Sequence, residues 1–119
     1  MCGITGIYSH KPVAAELYDS IIHLQHRGQD AAGIITYDDR MHKEKGMGLA
    51  KEVFNEINME LLTGSIGISH NRYPTHGGFS HGEVQPFWTS VPYGIALAHN
   101  GNLTNYQDLA EEITNKDSR

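Results

Sequence analysis

Cysteine is almost missing from these 119 residues: there is one, at position 2. A single thiol makes no internal disulfide, so the composition predicts a reducing, cytoplasmic setting. It also rules out centres that need several thiolates within the chain. Positive charge is scarce as well. Nine Lys and Arg stand against 14 Asp and Glu, for a formal net charge of −5. No basic patch forms, which argues against nucleic acid as a partner. No apolar run approaches the roughly 20 residues that cross a bilayer. No basic stretch followed by an apolar one marks a secretion signal, so no membrane is expected. What remains is 39% hydrophobic with a mean hydropathy of −0.44. Those values fit one small soluble domain with a core.

The pattern along the chain is mixed. "CGITGIYS" reads as a strand with Ile4 and Ile7 buried. Pro12 suits a helix start, and Ala14, Leu17, Ile21 and Leu24 recur at helical spacing, so "PVAAELYDSIIHLQH" predicts one amphipathic helix. "RGQD" reads as a turn, "AAGIITYDD" as a strand, and "RMHKEKG" as its more polar hairpin partner. "AKEVFNEINMELL" is weakly helical, and Ile66 and Ile68 alternate in a further strand, "TGSIGISHNRY". "PTHGGFSHGEVQP" has the Gly, Ser, His and Pro content of a long loop. "PYGIALAHNG" reads as an apolar strand. In the last segment Thr104, with Gln107 three residues on, predicts a capping box. It opens a helix whose apolar stripe is Leu103, Tyr106, Leu109 and Ile113. The order is strand, helix, strands, short helix, strands, helix. It implies an α+β or layered arrangement of helices on sheet.

Three motifs carry chemistry, each with a plainer alternative. Cys2 is either a small apolar residue in a terminal strand or, once Met1 is removed, a residue with both a thiol and a free α-amino group. Thiols ionise near 8.5 and α-amino groups near 7.7 to 8.0. The amine therefore serves as a built-in general base for the sulfur, and Gly3 leaves room for substrate to approach. The "HNG" of residues 99–101 is either a tight hairpin turn or a pair of donors for a developing oxyanion, the Asn100 amide and the Gly101 N–H. A helix signal, not a returning strand, follows it. Arg72 in "SHNRYPT" is either a surface cation or a two-pronged grip on a carboxylate. The loop from Tyr73 to Val84 after it is either a plain connection or a lid.

Eight histidines raise the question of zinc, with His70, His76, His81 and His99 the best placed. Neither H-E-x-x-H nor C-x-x-C accompanies them, and no metal site is expected.

The segments "MCGITGIY", "LQHRGQDAAGIITYD", "GISHNRYPTHG", "QPF" and "YGIALAHNGNLTNYQDL" resemble, in order and spacing, the N-terminal glutaminase domain of the glutamine amidophosphoribosyltransferase family. His26 before "RG", Tyr73-Pro74, and the "RGQD" of residues 27–30 set the chain apart from glucosamine-6-phosphate synthases and asparagine synthetases. The resemblance implies an N-terminal nucleophile hydrolase fold, an α-β-β-α four-layer sandwich. About the first half of that sandwich falls within residues 1–119, and the phosphoribosyltransferase domain does not. It implies that Cys2 hydrolyses the side-chain amide of glutamine through a γ-glutamyl thioester. The ammonia would then form 5-phosphoribosylamine from 5-phosphoribosyl-1-pyrophosphate in purine biosynthesis.

The resemblance also implies roles. Asn100 and Gly101 would form the oxyanion hole, and Arg72 would hold the α-carboxylate of glutamine. Tyr73 and Thr75 would sit in the closing loop, and Arg27 and Gly28 would shape the pocket. No cofactor is implied within these residues, Mg2+ belonging to the phosphoribosyl-transfer domain. Implied partners are glutamine, the remainder of the enzyme and, at full length, further copies in a homo-oligomer. The 119 residues alone are expected to be inactive and to expose apolar surface. A non-catalytic module that keeps the fold or pairs with another chain is the alternative, and a histidine metal-binding protein is a third reading.

Overall fold

The computed structural model of the chain describes residues 2–28, 30–73, 83–101 and 103–117. Four strands, β1 (Gly3–Tyr8), β2 (Ala31–Tyr37), β3 (Met41–Met47) and β4 (Ile66–Arg72), form one antiparallel sheet in the order β1-β4-β2-β3. The predicted β2–β3 hairpin is present, with Gly33 opposite Lys45. β4 lies in the middle, Asn71 opposite Gly3 on one side and Ala32 on the other. Because side chains alternate along a strand, this register sorts the sheet into two faces.

One face takes helix α1 (Ala14–Leu24). Leu17 and Ile21, one turn apart, are fully buried there with Val13, against Ala32 and Ile34 of β2 and against Phe54 and Leu62. Burying each such side chain is worth about 1.5–3 kcal/mol. Gly67 permits the close approach, since a Cβ there would stand 2.5 Å from Leu17 Cδ1. Both helix ends are tied to the rest of the fold. The Val13 N–H donates to the Gly64 carbonyl (3.1 Å), and Asn71 Nδ2 on β4 donates to the Leu24 carbonyl (2.8 Å). These bonds satisfy groups that a helix cannot pair internally. A short 3-10 turn, Gln25–Arg27, follows.

The weakly helical segment is two pieces, α2 (Ala50–Val53) and α3 (Glu56–Leu61). Asn55 breaks the run and caps α3, its Oδ1 accepting from the Asn58 N–H (2.9 Å) while Asn58 Oδ1 accepts from its own N–H (2.7 Å).

The other face carries Cys2, Ile4, Gly33, Lys45, His70 and Arg72 by the same alternation. Here the expected burial of Ile4 fails. It remains 39% exposed, because it points away from α1, and Ile7 on the helix side is only partly buried against the core. Residues 84–86 cross this second face, and a two-stranded antiparallel sheet follows, β5 (Phe87–Thr89) with β6 (Ile95–Leu97). Lys43 Nζ of β3 stands 3.9 Å from the Trp88 ring centre, a cation–π contact that links the two sheets. β5 was not foreseen from sequence. Helix α4 (Tyr106–Asp117) closes the chain. Its first bond runs from the Leu109 N–H to the Asn105 carbonyl, so Asn105, not Thr104, takes the cap position. Its stripe of Leu103, Tyr106, Leu109 and Ile113 faces solvent.

Candidate active site

A cleft of about 360 Å³ opens on the second face. Cys2, Arg72 and Gly101 line it, with Glu83, Gln85 and His99. Phe87, Leu103 and Tyr106 supply its apolar wall. Three of the residues singled out from sequence therefore share one cleft, although 99 positions separate the first from the last.

Cys2 is part-buried and free. Its carbonyl is held from two directions: Arg27 Nε donates to it at 3.1 Å and Asn100 Nδ2 at 2.9 Å. One of the two Asn100 amide hydrogens is thus spent on the backbone of the nucleophile candidate. Gly101 has a φ of +154°, a value that side-chain-bearing residues rarely adopt. Among the described residues, helix α4 and no strand follows the Asn-Gly pair, so no hairpin forms there.

Arg27 reaches the site because the 3-10 turn after α1 is pinned to β4. Gly28 lies flush on that strand, where a Cβ would meet the Arg72 and Asn71 backbone at 2.5–2.7 Å. Asn71 Nδ2 also donates to the Gly28 carbonyl (3.1 Å). Arg27 thus holds the Cys2 carbonyl and Gly28 allows the turn to approach β4; neither is among the residues lining the cleft. Arg72 ends β4 in the cleft, its carbonyl accepting from the Asp30 N–H (3.0 Å). Tyr73 is 49% exposed and is not among the lining residues. Thr75, and the loop over residues 74–82, lie outside the described residues.

Two residues that sequence reasoning left unassigned matter here. Gln85 is nearly buried (7% exposed), and its Oε1 accepts from the His99 N–H at 2.7 Å. His70 is 1% exposed and is hydrogen-bonded to the His99 backbone and the Asn100 side chain. Burial pushes its ring down to about 4, with the nearby His99 and Arg72 acting in the same direction, so it is neutral near pH 7. Gln85 stands in the "QPF" noted above. A buried polar side chain beside a proline was its only signal.

Of the four histidines considered for zinc, His70 and His99 come together at the cleft, and His76 and His81 lie outside the described residues. Among the described residues, the group whose ligand atoms converge is Asp38, Asp39 and His42, in the β2–β3 turn. Those groups bond to their neighbours: the Thr63 hydroxyl donates to Asp38 Oδ2 (2.6 Å), and His42 Nε2 lies 3.0 Å from Asp38 Oδ1.

No family model matches the chain. Individual proteins do. It is 54% identical over 120 residues to the amidophosphoribosyltransferase of Pseudomonas aeruginosa, covering 100% of this chain and 24% of that protein. It is 51% identical to the Escherichia coli enzyme of the same name (95% and 23%) and 53% identical to that of Saccharomyces cerevisiae (92% and 22%). Two solved structures superpose over its full length. One is described as the allosteric regulatory enzyme of purine biosynthesis, with a TM-score of 0.87 at 36% identity, covering 26% of that chain. The other is the glutamine phosphoribosylpyrophosphate amidotransferase of B. subtilis complexed with ADP and GMP, with a TM-score of 0.83 at 35% identity, also covering 26%.

The architecture is that of the first part of a glutamine amidotransferase domain of the N-terminal nucleophile hydrolase type. Within that class the chain is homologous, along its whole length, to the N-terminal part of amidophosphoribosyltransferases. It spans about a quarter of the length of the curated relatives it matches.

Proposed function

We propose that this chain carries the nucleophile side of a glutaminase site and serves the ammonia-producing half of an amidophosphoribosyltransferase reaction. With Met1 removed, the α-amino group of Cys2 accepts the thiol proton and Sγ attacks the side-chain carbonyl carbon of glutamine. The second Asn100 N–H and the Gly101 N–H receive the oxyanion. The amine then returns its proton to the leaving nitrogen, and ammonia departs. Water hydrolyses the γ-glutamyl thioester to glutamate and restores the thiol. Arg72 holds the substrate α-carboxylate, and Tyr73 and Thr75 belong to the segment that closes over it. The remainder of the enzyme, together with Mg2+, passes the ammonia to 5-phosphoribosyl-1-pyrophosphate in cytoplasmic purine synthesis, as a homo-oligomer.

One observation carries this reading. Cys2, Arg72 and Gly101 line the same cleft, and the Asn100 amide is bonded to the Cys2 carbonyl. The test is to treat the full-length natural polypeptide with the glutamine-like electrophile 6-diazo-5-oxo-L-norleucine and map the adduct by peptide mass. Stoichiometric label on Cys2, with loss of glutaminase activity, is expected; label elsewhere refutes the assignment.

The second reading is a module that keeps the fold without turning over. The exposed Trp88, Tyr93, Ile95 and Leu97 of the small sheet favour it for the 119 residues taken alone. Ammonia release by that fragment at the full-length rate would exclude it.

A further inference from the structure

The segment that carries the two oxyanion donors, His99–Gly101, lies in neither a strand nor a helix. Something else must fix it, because a displacement of about 1 Å in a catalytic group costs on the order of 100-fold in rate. Its anchors are buried and come from two directions. From one side, Gln85 Oε1 accepts from the His99 N–H at 2.7 Å. The backbone around Gln85 is itself bolted to the large sheet. Lys45 Nζ on β3 donates to the Val84 carbonyl (2.8 Å) and the Pro86 carbonyl (3.2 Å). The Gln85 carbonyl rests on Gly33 of β2, where a Cβ would stand only 2.1 Å away. From the other side, His70 on β4 bonds to the His99 backbone and the Asn100 side chain. Both anchors are uncharged, so they fix the segment without placing a competing charge beside a developing oxyanion.

We infer that Gln85 and His70 are positioning residues that hold the His99–Gly101 segment against the large sheet and so aim the Asn100 and Gly101 donors at the carbon attacked by Cys2. The inference rests on the reading of Cys2 as nucleophile. It separates the donors, which touch substrate, from the groups that place them.

Two reactions of the same thiol distinguish aim from general loosening. Thioester formation from glutamine develops an oxyanion; alkylation of Cys2 by iodoacetamide is a direct displacement and develops none. In the full-length natural polypeptide, Gln85→Met keeps the length of the side chain and removes the acceptor. Glutaminase kcat should fall roughly 10- to 100-fold, with KM for glutamine and the alkylation rate each within about threefold of wild type. An unchanged kcat in Gln85→Met, or an equal loss in both reactions, overturns the inference. If Gln85→Met does not fold, His70→Gln decides by the same two rates and the same criteria. Wild-type glutaminase activity that survives Cys2→Ala sinks the reading of the nucleophile and this inference with it; activity that depends on Cys2 but is indifferent to Gln85 and His70 sinks only the inference.

Discussion

Residues 2–72 and residues 87–117 use similar apolar material to opposite ends. In the first region Val13, Leu17, Ile21, Ile34, Phe54 and Leu62 close one core between a helix and a four-stranded sheet. In the second, Trp88, Tyr93, Ile95, Leu97, Tyr106 and Ile113 are all exposed, on a pair of three-residue strands and a helix. The difference is one of layers. A sheet buries one face per packed neighbour, and the small sheet is touched by the large one at few points, such as Lys43 on Trp88. The cleft lies where the two regions meet. The closed region supplies Cys2 and Arg72, and the open one supplies Gly101, Phe87 and Tyr106. Cys2 and Arg72 thus rest on a finished core, and Asn100 and Gly101 rest on a part tied down by a few polar bonds.

That contrast can be broken or sharpened by experiment. The largest effect is expected from Cys2→Ala in the full-length polypeptide, which should lower glutaminase turnover roughly a thousandfold or more, read as ammonia release. Next comes Leu17→Ala, which should cost about 2–5 kcal/mol in urea unfolding. Leu109→Ala on the exposed stripe of α4 should cost about 0.5 kcal/mol or less in the isolated 119-residue chain. Equal costs at the two positions would mean that the open region packs as tightly as the closed one.

Arg72→Lys keeps the charge and loses the fork. It should raise KM for glutamine roughly tenfold, with a smaller change in kcat, measured by steady-state kinetics. A further effect concerns pH. His70 is held near 4 by burial, against about 6.5 for an unfolded histidine. Between those values the unfolded chain binds the extra proton, so stability is intact above pH 6.5 and falls as pH drops toward 4, by up to about 3 kcal/mol. Urea midpoints at pH 7 and pH 5 should differ, and His70→Gln should narrow the difference. A gap of the same size in the variant would assign the pH dependence to other groups.

Much of the closed region was legible because its signals are local. The spacing of Leu17 and Ile21 names a helix face, and the polar β3 beside the apolar β2 names a hairpin. The cap at Asn55 was not read, because a weak helical run hid the break. Ile4 was misjudged because alternation says that one side of a strand is buried without saying which. β5 escaped because three residues behind Pro86 carry no period. In the site, Cys2, Arg72, Asn100 and Gly101 could be named from their chemistry. Gln85 could not, since nothing beside it in the chain says that its amide oxygen meets the His99 N–H.

By itself the amino-acid order determined the candidate reactive groups and the elements built from neighbours: a lone sulfur at position 2, an amphipathic α1, a β2–β3 hairpin, and an Asn-Gly pair ahead of a helix. Tertiary structure alone decided what meets what. It brought position 2 beside positions 72 and 101, gave the Cys2 carbonyl to Arg27 and Asn100, and set Gln85 and His70 under the donor segment. The reason is physical: helix and strand periods are properties of adjacent residues, whereas these contacts exist only once antiparallel pairing and the packing of two sheets have closed loops of tens of residues.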